Sequence, residues 1–369
     1  MKRFFSPTRL FWGNGSSDSL EGIFKERKIM VVIGRGSIKR NGKFNEMVAK
    51  LKKNNEVVFF EGINENPLIS EVLKLREFIK KERVDVVVAI GGGSVLDCAK
   101  ASVTVLNENN PEVSLKEKKV VENRNVVFVA IPTTCGTGSE VDQYALITDE
   151  NGDKFSFFTE NSFPDYAFLE PMLLDTLSFR WIAATAIDAF CHSLEGFFSI
   201  RSNDITENLA ISSMENILEF LPIVSEKKEE SFEKLLLASS LGGMVIAHTG
   251  TNLIHAFGYY LTKVKKVPHS FANSSLLPFY IEYLKEISEE KVDFFMGFLT
   301  PEDNPGEYIV DFLKKLNLPA HLKEVELKEE EFDDFFEYGF SKPNIGSFFK
   351  KVEKKEIYDR LKEWFSRER

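Results

Sequence analysis

Four residues in the second half of the chain carry side chains that could together bind a divalent metal. Asp188 and His192 are four positions apart in a mostly apolar pattern, so on a helix they share one face, one turn apart. A charged Asp on such a face is costly unless it is paired or bound to a cation. His255 follows in another helical segment, and His269 comes just after a proline. One carboxylate and three imidazoles suit Fe²⁺ or Zn²⁺ with a position left for substrate.

Each of the five histidines, taken alone, also fits an ordinary core or surface residue. His248 lies seven positions before His255, and the two share a helix face only if Gly250 does not interrupt the helix. We therefore hold His248 as a reserve ligand or a proton carrier. His321 is predicted to be a surface residue. Cys191, beside His192, fits a small buried apolar group better than a metal ligand.

A glycine-rich turn in the first half is typical of phosphate binding. Gly91, Gly92, Gly93 and Ser94 follow the predicted strand Val84–Ile90, so the backbone can turn tightly and approach a ligand. Ser94 is expected to cap the next helix, whose N-terminus favours a pyrophosphate. The alternative is a tight turn without a ligand, but three consecutive glycines favour binding. The turn is neither GxGxxG nor a P-loop, so those patterns do not identify the nucleotide.

Two further turns are expected at the same edge of the sheet. The turn Gly34–Ser37 follows the strand Lys28–Gly34, and Lys39 and Arg40 come next without a carboxylate. An acidic residue there would repel a 2′-phosphate, so its absence favours NADP over NAD. The alternative is that both cations are simply exposed. The third turn, residues 131–140, is rich in threonine and glycine.

Strands and helices alternate in the first half, whereas the second half has a helical pattern. The predicted strands are continuous apolar runs, as in a parallel sheet covered on both faces: Lys28–Gly34, Glu56–Phe60, Val84–Ile90, Val126–Ile131 and Tyr166–Glu170. Asn151-Gly152 predicts a hairpin turn between two shorter runs. We predict a Rossmann-like α/β domain over residues 1–170 and an all-α, helical metal-binding domain over residues 171–369.

Composition excludes several classes of protein. The net charge of -10 argues against a nucleic-acid partner. No apolar run approaches the roughly 20 residues that span a membrane, and no secretory signal is recognised. Three cysteines without a CxxC pair favour a cytoplasmic location.

Four segments together resemble the iron-containing (group III) alcohol dehydrogenases: GGGSVLDCAK, IPTTCGTGSE, AIDAFCHSLEGF and HAFGYYLTKVKKVPHS. The resemblance implies a dinucleotide-binding domain before a helical domain, as in dehydroquinate synthase, with the metal in the cleft between them and a homodimer as the assembly. It places metal ligands at Asp188, His192, His255 and His269. It places the cofactor at Gly34, Gly36, Ser37, Asn66, Gly92, Gly93, Ser94, Asp97, Thr133, Thr134, Thr137 and Lys154. Many relatives carry a further histidine where this chain has Tyr259, so Tyr259 and His248 are candidates for proton transfer.

We expect an enzyme that transfers a hydride between NADP (or NAD) and a small primary alcohol or aldehyde held on Fe²⁺ (or Zn²⁺). A zinc-dependent polyol dehydrogenase, of the glycerol type, is the alternative. A lyase of the dehydroquinate synthase type would need a basic clamp for its substrate, which is not evident. A non-catalytic nucleotide-binding protein would leave the Asp and the three histidines dispensable.

Overall fold

The computed structural model describes residues 3–119, 124–226, 228–287, 289–300 and 304–367. The strands are β1 (Arg9–Trp12), β2 (Lys28–Gly34), β3 (Glu56–Ile63), β4 (Val86–Gly91), β5 (Val127–Pro132), β6 (Tyr144–Thr148), β7 (Lys154–Phe158) and β8 (Tyr166–Leu169). The helices are α1 (Ser19–Ile23), α2 (Gly42–Asn54), α3 (Ile69–Glu82), α4 (Gly93–Thr104), α5 (Pro111–Glu117), α6 (Phe179–Phe197), α7 (Asp204–Phe220), α8 (Glu229–Thr249), α9 (Leu253–Lys263), α10 (His269–Lys285), α11 (Glu290–Leu299), α12 (Pro305–Lys315), α13 (Phe332–Phe340) and α14 (Lys354–Ser366).

Six strands form one parallel sheet in the order β1-β8-β5-β4-β2-β3. In β2, Met30 and Val32 pack on one face of the sheet, whereas Ile29, Val31 and Ile33 pack on the other. Both faces are therefore covered, which explains why the strands are continuous apolar runs. Because the strands are parallel, the turns that follow β2, β4 and β5 lie at one edge. Ligands of open α/β sheets bind at that edge.

The predicted hairpin is confirmed. Strands β6 and β7 pair antiparallel, with Tyr144 opposite Phe158 and Thr148 opposite Lys154. Gly152 in the connecting turn has φ of 82°, a left-handed conformation that glycine adopts without strain.

The part of the chain after Leu169 is helical. Its described residues form helices and loops, and the β-structure among them is one isolated bridge between Ser199 and Phe348. Helix α6 is the central element, because it packs on α7, α8 and α10, and nearly all of its residues from Ile182 to Phe197 are buried. No helix in the described ranges is long and apolar enough to cross a bilayer. The division at residue 170 stays a prediction, although every named strand precedes it.

One strand was not predicted. β1 adds to the edge of the sheet beside β8, with Phe11 opposite Phe168. Its four residues include an arginine and show no alternating pattern, so its strand pairing depends on contact with β8 rather than on local sequence.

Candidate metal and cofactor site

Three side chains from three helices bring their ligand atoms together in the helical part of the molecule. Nε2 of His255 lies 3.7 Å from Oδ1 of Asp188, and Nε2 of His269 lies 3.8 Å from the same oxygen. All three atoms lie within 4.8 Å of one another. Ligands of a tetrahedral metal with bonds of about 2.1 Å are roughly 3.4 Å apart, so the three atoms surround a space of the right size.

The side-chain amide of Asn273 supports this fit. Its Nδ2 lies 2.7 Å from Oδ1 of Asp188, 3.1 Å from Nε2 of His255 and 3.2 Å from Nε2 of His269. An electropositive N–H group is therefore placed where three acceptor atoms converge, which is the position that a cation would favour. Oδ1 of the same amide is buried and has no hydrogen-bond partner among the described residues. The donor set and its convergence fit a divalent metal.

His192 lies beside this group but outside it. Its ring stacks on that of His255, with centroids 4.7 Å apart. Its Nδ1 lies 3.2 Å from the carbonyl oxygen of Gly136, so Nδ1–H donates to that oxygen and Nε2 is left free. The role of His192 as a fourth ligand stays a prediction. Its Nε2, which is not used in the hydrogen bond to Gly136, favours this role.

The electrostatics of the group suit metal binding. Burial would raise the pKa of Asp188, but the three nearby histidines and the Asn273 amide bring this pKa below its ordinary value. Burial lowers the pKa of His192, and it lowers that of His269 to about 3. The carboxyl group is therefore ionised and both imidazoles are neutral at neutral pH, which are the protonation states that bind metal ions.

Glu195 is a residue of this site that the sequence analysis missed. It is fully buried, and its Oε2 is in close contact with Nδ1 of His255. Burial lowers the pKa of His255, but the carboxylates of Glu195 and Asp188 together raise this pKa by more, so that it lies above its ordinary value. Its position could have been found from the sequence, because residues 188, 192 and 195 follow the spacing of one helix face.

The glycine turn after β4 differs in one detail from the prediction. Helix α4 begins at Gly93, so the capping position belongs to Gly92, and no side chain caps the helix. The prediction that Ser94 is the cap is wrong, because the helix begins two residues earlier than a cap at Ser94 would require. The hydroxyl of Ser94 instead accepts a hydrogen bond from the backbone N–H of Asn66 at 3.2 Å. Two residues predicted to bind the cofactor are thereby brought together.

The threonine-rich turn after β5 packs against this glycine turn. A Cβ on Gly93 would lie 2.6 Å from Cγ2 of Thr137, and a Cβ on Gly92 would lie 3.4 Å from Cγ2 of Thr134. The backbone N–H of Thr133 donates to the carbonyl of Gly91 at 3.0 Å. The two turns are in contact at one edge of the sheet, as expected. A glycine at position 93 is needed for this contact, and its role in ligand binding stays a prediction.

Both carboxylate oxygens of Asp97 are used in hydrogen bonds within the protein. Its Oδ1 accepts from the Ser139 hydroxyl at 2.6 Å, and its Oδ2 accepts from the Leu146 N–H at 2.9 Å. Ser139 also accepts from the buried Lys100 ammonium, which donates to Asp142 at 2.7 Å. Asp97 therefore holds the turn after β5 and the hairpin against α4. Its direct contact with the cofactor stays a prediction.

The turn after β2 has a carboxylate nearby that sequence reasoning did not place there. Gly36 has φ of 92° and precedes the short helix Ser37–Arg40, in which Lys39 contacts Glu61 of β3 at 2.6 Å. The expectation of no carboxylate holds for the turn itself. The carboxylate of Glu61 comes from the neighbouring strand, because β2 and β3 pair in the sheet and their ends meet.

Lys154 begins β7 and is exposed on the hairpin. Its partial enclosure lowers the pKa of the ammonium, and the charge of Lys266 lowers this pKa further. The charge of Lys154 in turn contributes to the lowered pKa of His269. The hairpin therefore brings a predicted cofactor residue close to the histidine group.

The two candidates for proton transfer lie in different places. The ring of Tyr259 is nearly parallel to that of His269, with centroids 6.0 Å apart, and its hydroxyl interacts with Asn344 and Thr251. His248 is outside the histidine group. Its Nε2 accepts from the N–H of Phe5 at 2.9 Å, and its Nδ1 lies 2.8 Å from the carbonyl of Met244.

His248 and His255 do not share a helix, because α8 ends before Gly250, which has φ of 65°. His321 is buried, so the prediction of a surface position is wrong. Its ring packs on Trp364 with centroids 4.3 Å apart, in the helical core. Cys191 is fully buried, and burial raises the pKa of its thiol well above the ordinary value. It is a core residue, as expected.

Two family models match the chain. Residues 7–171 match the model described as "Iron-containing alcohol dehydrogenase". Residues 182–365 match the model described as "Fe-containing alcohol dehydrogenase family, C-terminal". The two matches together account for nearly all of the chain.

Similar proteins carry related activities in their names. The chain is 32% identical over 347 residues to the NADPH-dependent butanol dehydrogenase of Clostridium saccharobutylicum, with 90% of this chain and 89% of that protein covered. It is 32% identical over 286 residues to a 1-propanol dehydrogenase of Citrobacter freundii, with 77% and 74% covered. The solved structure of an iron-containing alcohol dehydrogenase from Thermotoga maritima matches with a TM-score of 0.83 and 32% identity, over 99% of both chains. These similarities do not favour the zinc-dependent polyol alternative.

Proposed function

The chain belongs to the iron-containing alcohol dehydrogenase family, and from this premise we propose that Asp188, His192, His255 and His269 hold its metal. The protein is an NAD(P)-linked alcohol dehydrogenase that acts on small alcohols and aldehydes. The finer proposal concerns which residues do this work, which cofactor is preferred and how the alcohol proton leaves. The homodimer and the cytoplasmic location stay predictions.

The observation that carries the proposal is the convergence of Asp188, His255 and His269 at distances of 3.7 and 3.8 Å. When bound there, a divalent metal supplies a Lewis acid that polarises the substrate oxygen. The residues contribute one negative charge and neutral imidazoles, since burial lowers the pKa of His192 and His269. The half-buried His269 marks the side of the group from which substrate approaches.

The cofactor would lie along the edge formed by the turns after β2, β4 and β5. The first amides of α4 are not used in helical hydrogen bonds, and together with the helix dipole they favour a pyrophosphate. Asn66, Thr134 and Thr137 border this turn. Lys154, at the start of β7, would hold the nicotinamide end. The nicotinamide ring would then face the substrate beside the metal ligands, the arrangement that hydride transfer requires.

We propose that NADPH is preferred over NADH. Three cations lie in or after the turn that follows β2, namely Arg35, Lys39 and Arg40, and this turn itself carries no carboxylate. The charge of Glu61 is offset by Lys39 at 2.6 Å, and Arg35 donates through Nε to Asn64 at 2.8 Å rather than to an acid. A 2′-phosphate would meet net positive charge there. The named NADPH dependence of the clostridial relative supports the same preference.

Tyr259 is the proposed carrier of the alcohol proton. Burial raises the pKa of Tyr259 to about 12, so its hydroxyl is neutral under ordinary conditions. A neutral hydroxyl can accept one proton while it donates another, and the Thr251 hydroxyl, to which the Asn344 amide donates at 2.7 Å, is the partner that continues the path. His248 is less suited to this role, because both of its ring nitrogens are engaged away from the histidine group.

One assay tests the proposed function. The full chain is purified without oxygen and supplied with Fe²⁺, Zn²⁺ or a chelator, each with NADPH or NADH and with butanal or propanal as oxidant. We expect metal-dependent oxidation of NADPH by the aldehydes, faster with Fe²⁺ than with chelator, and slower oxidation of NADH. Equal rates with chelator and with metal would contradict the metal site, and faster turnover of NADH would contradict the cofactor preference.

A further inference from the structure

Glu195 is a buried carboxylate that the proposed reaction does not use. It lies on α6, three residues after His192, and its side chain is fully buried. Among the described residues, no lysine or arginine pairs with it, and Nδ1 of His255 is its ion-pair partner. A buried carboxylate without a fixed cation is costly, so the contacts that it makes must compensate for its burial.

The second carboxylate oxygen is held by the backbone of α9. Oε1 accepts from the N–H of Ile254 at 2.6 Å and from the N–H of His255 at 3.3 Å. These amides belong to the first turn of the helix, where backbone donors have no partner within the helix. The side chain of Asn252 also donates to the backbone carbonyl of Glu195 at 2.8 Å. The carboxylate is therefore fixed in orientation before any metal binds.

This orientation decides which nitrogen of His255 carries the proton. Nε2 of His255 accepts from the side-chain amide of Asn273 at 3.1 Å, so in the neutral ring Nδ1 carries the proton and donates to the carboxyl group of Glu195. In the neutral imidazole, Nε2 is then left with its lone pair. Nε2 is the atom that lies 3.7 Å from Oδ1 of Asp188, within the proposed ligand group.

We propose that Glu195 is a positioning residue that fixes the tautomer and ring orientation of His255 so that Nε2 binds the metal; this inference rests on the ligand set of the proposed function. Ligating histidines commonly donate their second nitrogen to a carboxylate or a carbonyl, which makes the ligand more basic. His192 uses the weaker of these two partners, the carbonyl of Gly136 at 3.2 Å. His255 uses the stronger one, so its bond to the metal should depend most on its partner.

The substitution Glu195→Gln separates positioning from helix capping. The carbonyl oxygen of Gln can still accept from the amides of Ile254 and His255. Its NH₂ group then faces Nδ1 of His255 and, as a donor, moves the proton to Nε2. We expect metal affinity to fall by about 10- to 100-fold in the full chain, the usual effect of removing such a partner. The measurement is competition for Zn²⁺ or Co²⁺ with a chromophoric chelator, together with the Co²⁺ absorption spectrum.

Glu170→Gln is the matched control. Glu170 is also fully buried and accepts from the Ser17 hydroxyl at 2.7 Å and from backbone amides, but it belongs to the α/β domain. We expect this variant to keep the metal affinity of the wild type. The melting temperature of the metal-free protein is measured for both variants, because a purely structural effect would appear there and not in metal affinity.

The outcomes separate failure of this inference from failure of the proposed function. If His255→Ala keeps wild-type metal affinity, the ligand set is wrong and the proposed site fails. If His255→Ala loses the metal but Glu195→Gln binds it within about threefold of wild type, well below the usual effect, Glu195 does not position His255. Adding Glu195→Gln to His255→Ala should cause no further loss, because Glu195 acts through that histidine.

A second measurement applies if Glu195→Gln does not fold. The Zn²⁺-loaded wild-type chain is labelled with ¹⁵N-histidine, and His255→Ala identifies the signal of His255. A proton bonded to Nδ1 of His255 with Nε2 unprotonated supports the inference. A proton on Nε2, or no proton on Nδ1, would overturn it.

Discussion

His255 and Asp188 place Nε2 and Oδ1 3.7 Å apart, although they lie on different helices, α9 and α6. The contact depends on the packing of the helical core, because α6, α9 and α10 meet there. Both side chains are buried, and each is also within hydrogen-bond distance of the amide of Asn273. Packing therefore brings together acceptors that would repel one another without a cation or a donor between them.

Tyr259→Phe tests the proposed proton path. Removal of the hydroxyl breaks the connection to Thr251 and Asn344 but keeps the ring beside His269. We expect kcat to fall by about 100-fold, the lower end of the range for general acid–base groups, with metal content unchanged. Tyr260→Phe is the control, since the ring of Tyr260 packs on Phe335 and Tyr338. A Tyr259→Phe enzyme with wild-type kcat would remove Tyr259 from the mechanism.

His248→Ala should reduce stability without reducing kcat. The substitution leaves the N–H of Phe5 without its acceptor and removes the stacking of Phe4, whose ring centroid lies 4.3 Å from that of His248. The expected loss is about 1–2 kcal/mol in the free energy of unfolding, measured by denaturant titration. His248→Phe, which keeps a stacking ring, should lose less. A large fall in kcat for both variants at unchanged stability would instead support proton transfer by His248.

Arg35→Ala should weaken NADPH binding selectively. If its guanidinium meets the 2′-phosphate, loss of a charge-assisted hydrogen bond of about 1.5–3 kcal/mol raises KM for NADPH by roughly 10- to 100-fold. KM for NADH should change little, because NADH lacks that phosphate. Lys52→Ala removes an exposed cation on α2 and serves as the control. Equal changes in KM for the two cofactors would show that Arg35 does not read the 2′-phosphate.

Gly138→Ala should destabilise the packing of the threonine-rich turn on α8. Gly138 has φ of 64°, and a Cβ there would lie 2.4 Å from Cα of Gly243. Gly152→Ala is the matched control, because Gly152 also has positive φ, at 82°, but has nothing within 4 Å. Both variants carry the cost of left-handed backbone, about 1–2 kcal/mol. Gly138→Ala should lose about 1–3 kcal/mol more through overpacking, and equal melting temperatures for the two would contradict the close contact.

The sheet was predictable from the sequence because its strands are buried on both faces. Lys28–Gly34 was predicted with the bounds that the structure gives, and the hairpin between β6 and β7 followed from Asn151-Gly152. The edge strand β1 was not predictable, since four residues without a pattern gain their pairing only from β8. Local patterns therefore identified the elements whose burial is continuous along the chain.

The candidate site was predictable only in part, for a comparable reason. Asp188 and His192 share one helix, so their spacing identified them, and Glu195 continues the same face. The carboxylate of Glu61 reaches Lys39 because β2 and β3 are neighbours, which no spacing within the turn indicates. The burial of His321 against Trp364 likewise depends on residues far along the chain. Contacts between distant segments are set by topology and packing.

The most direct test of the central claim compares the wild type with Asp188→Asn in two measurements on the full chain. These are the metal content and the rate of butanal reduction by NADPH. Both proteins are purified without oxygen and reloaded with Fe²⁺, with Glu170→Gln as the control for loss of a buried carboxylate. We predict about one metal per wild-type chain, as in catalytic sites with one open position. Asp188→Asn should lose both metal and turnover, whereas Glu170→Gln should keep both. Full metal content and wild-type turnover in Asp188→Asn would contradict the site that we propose.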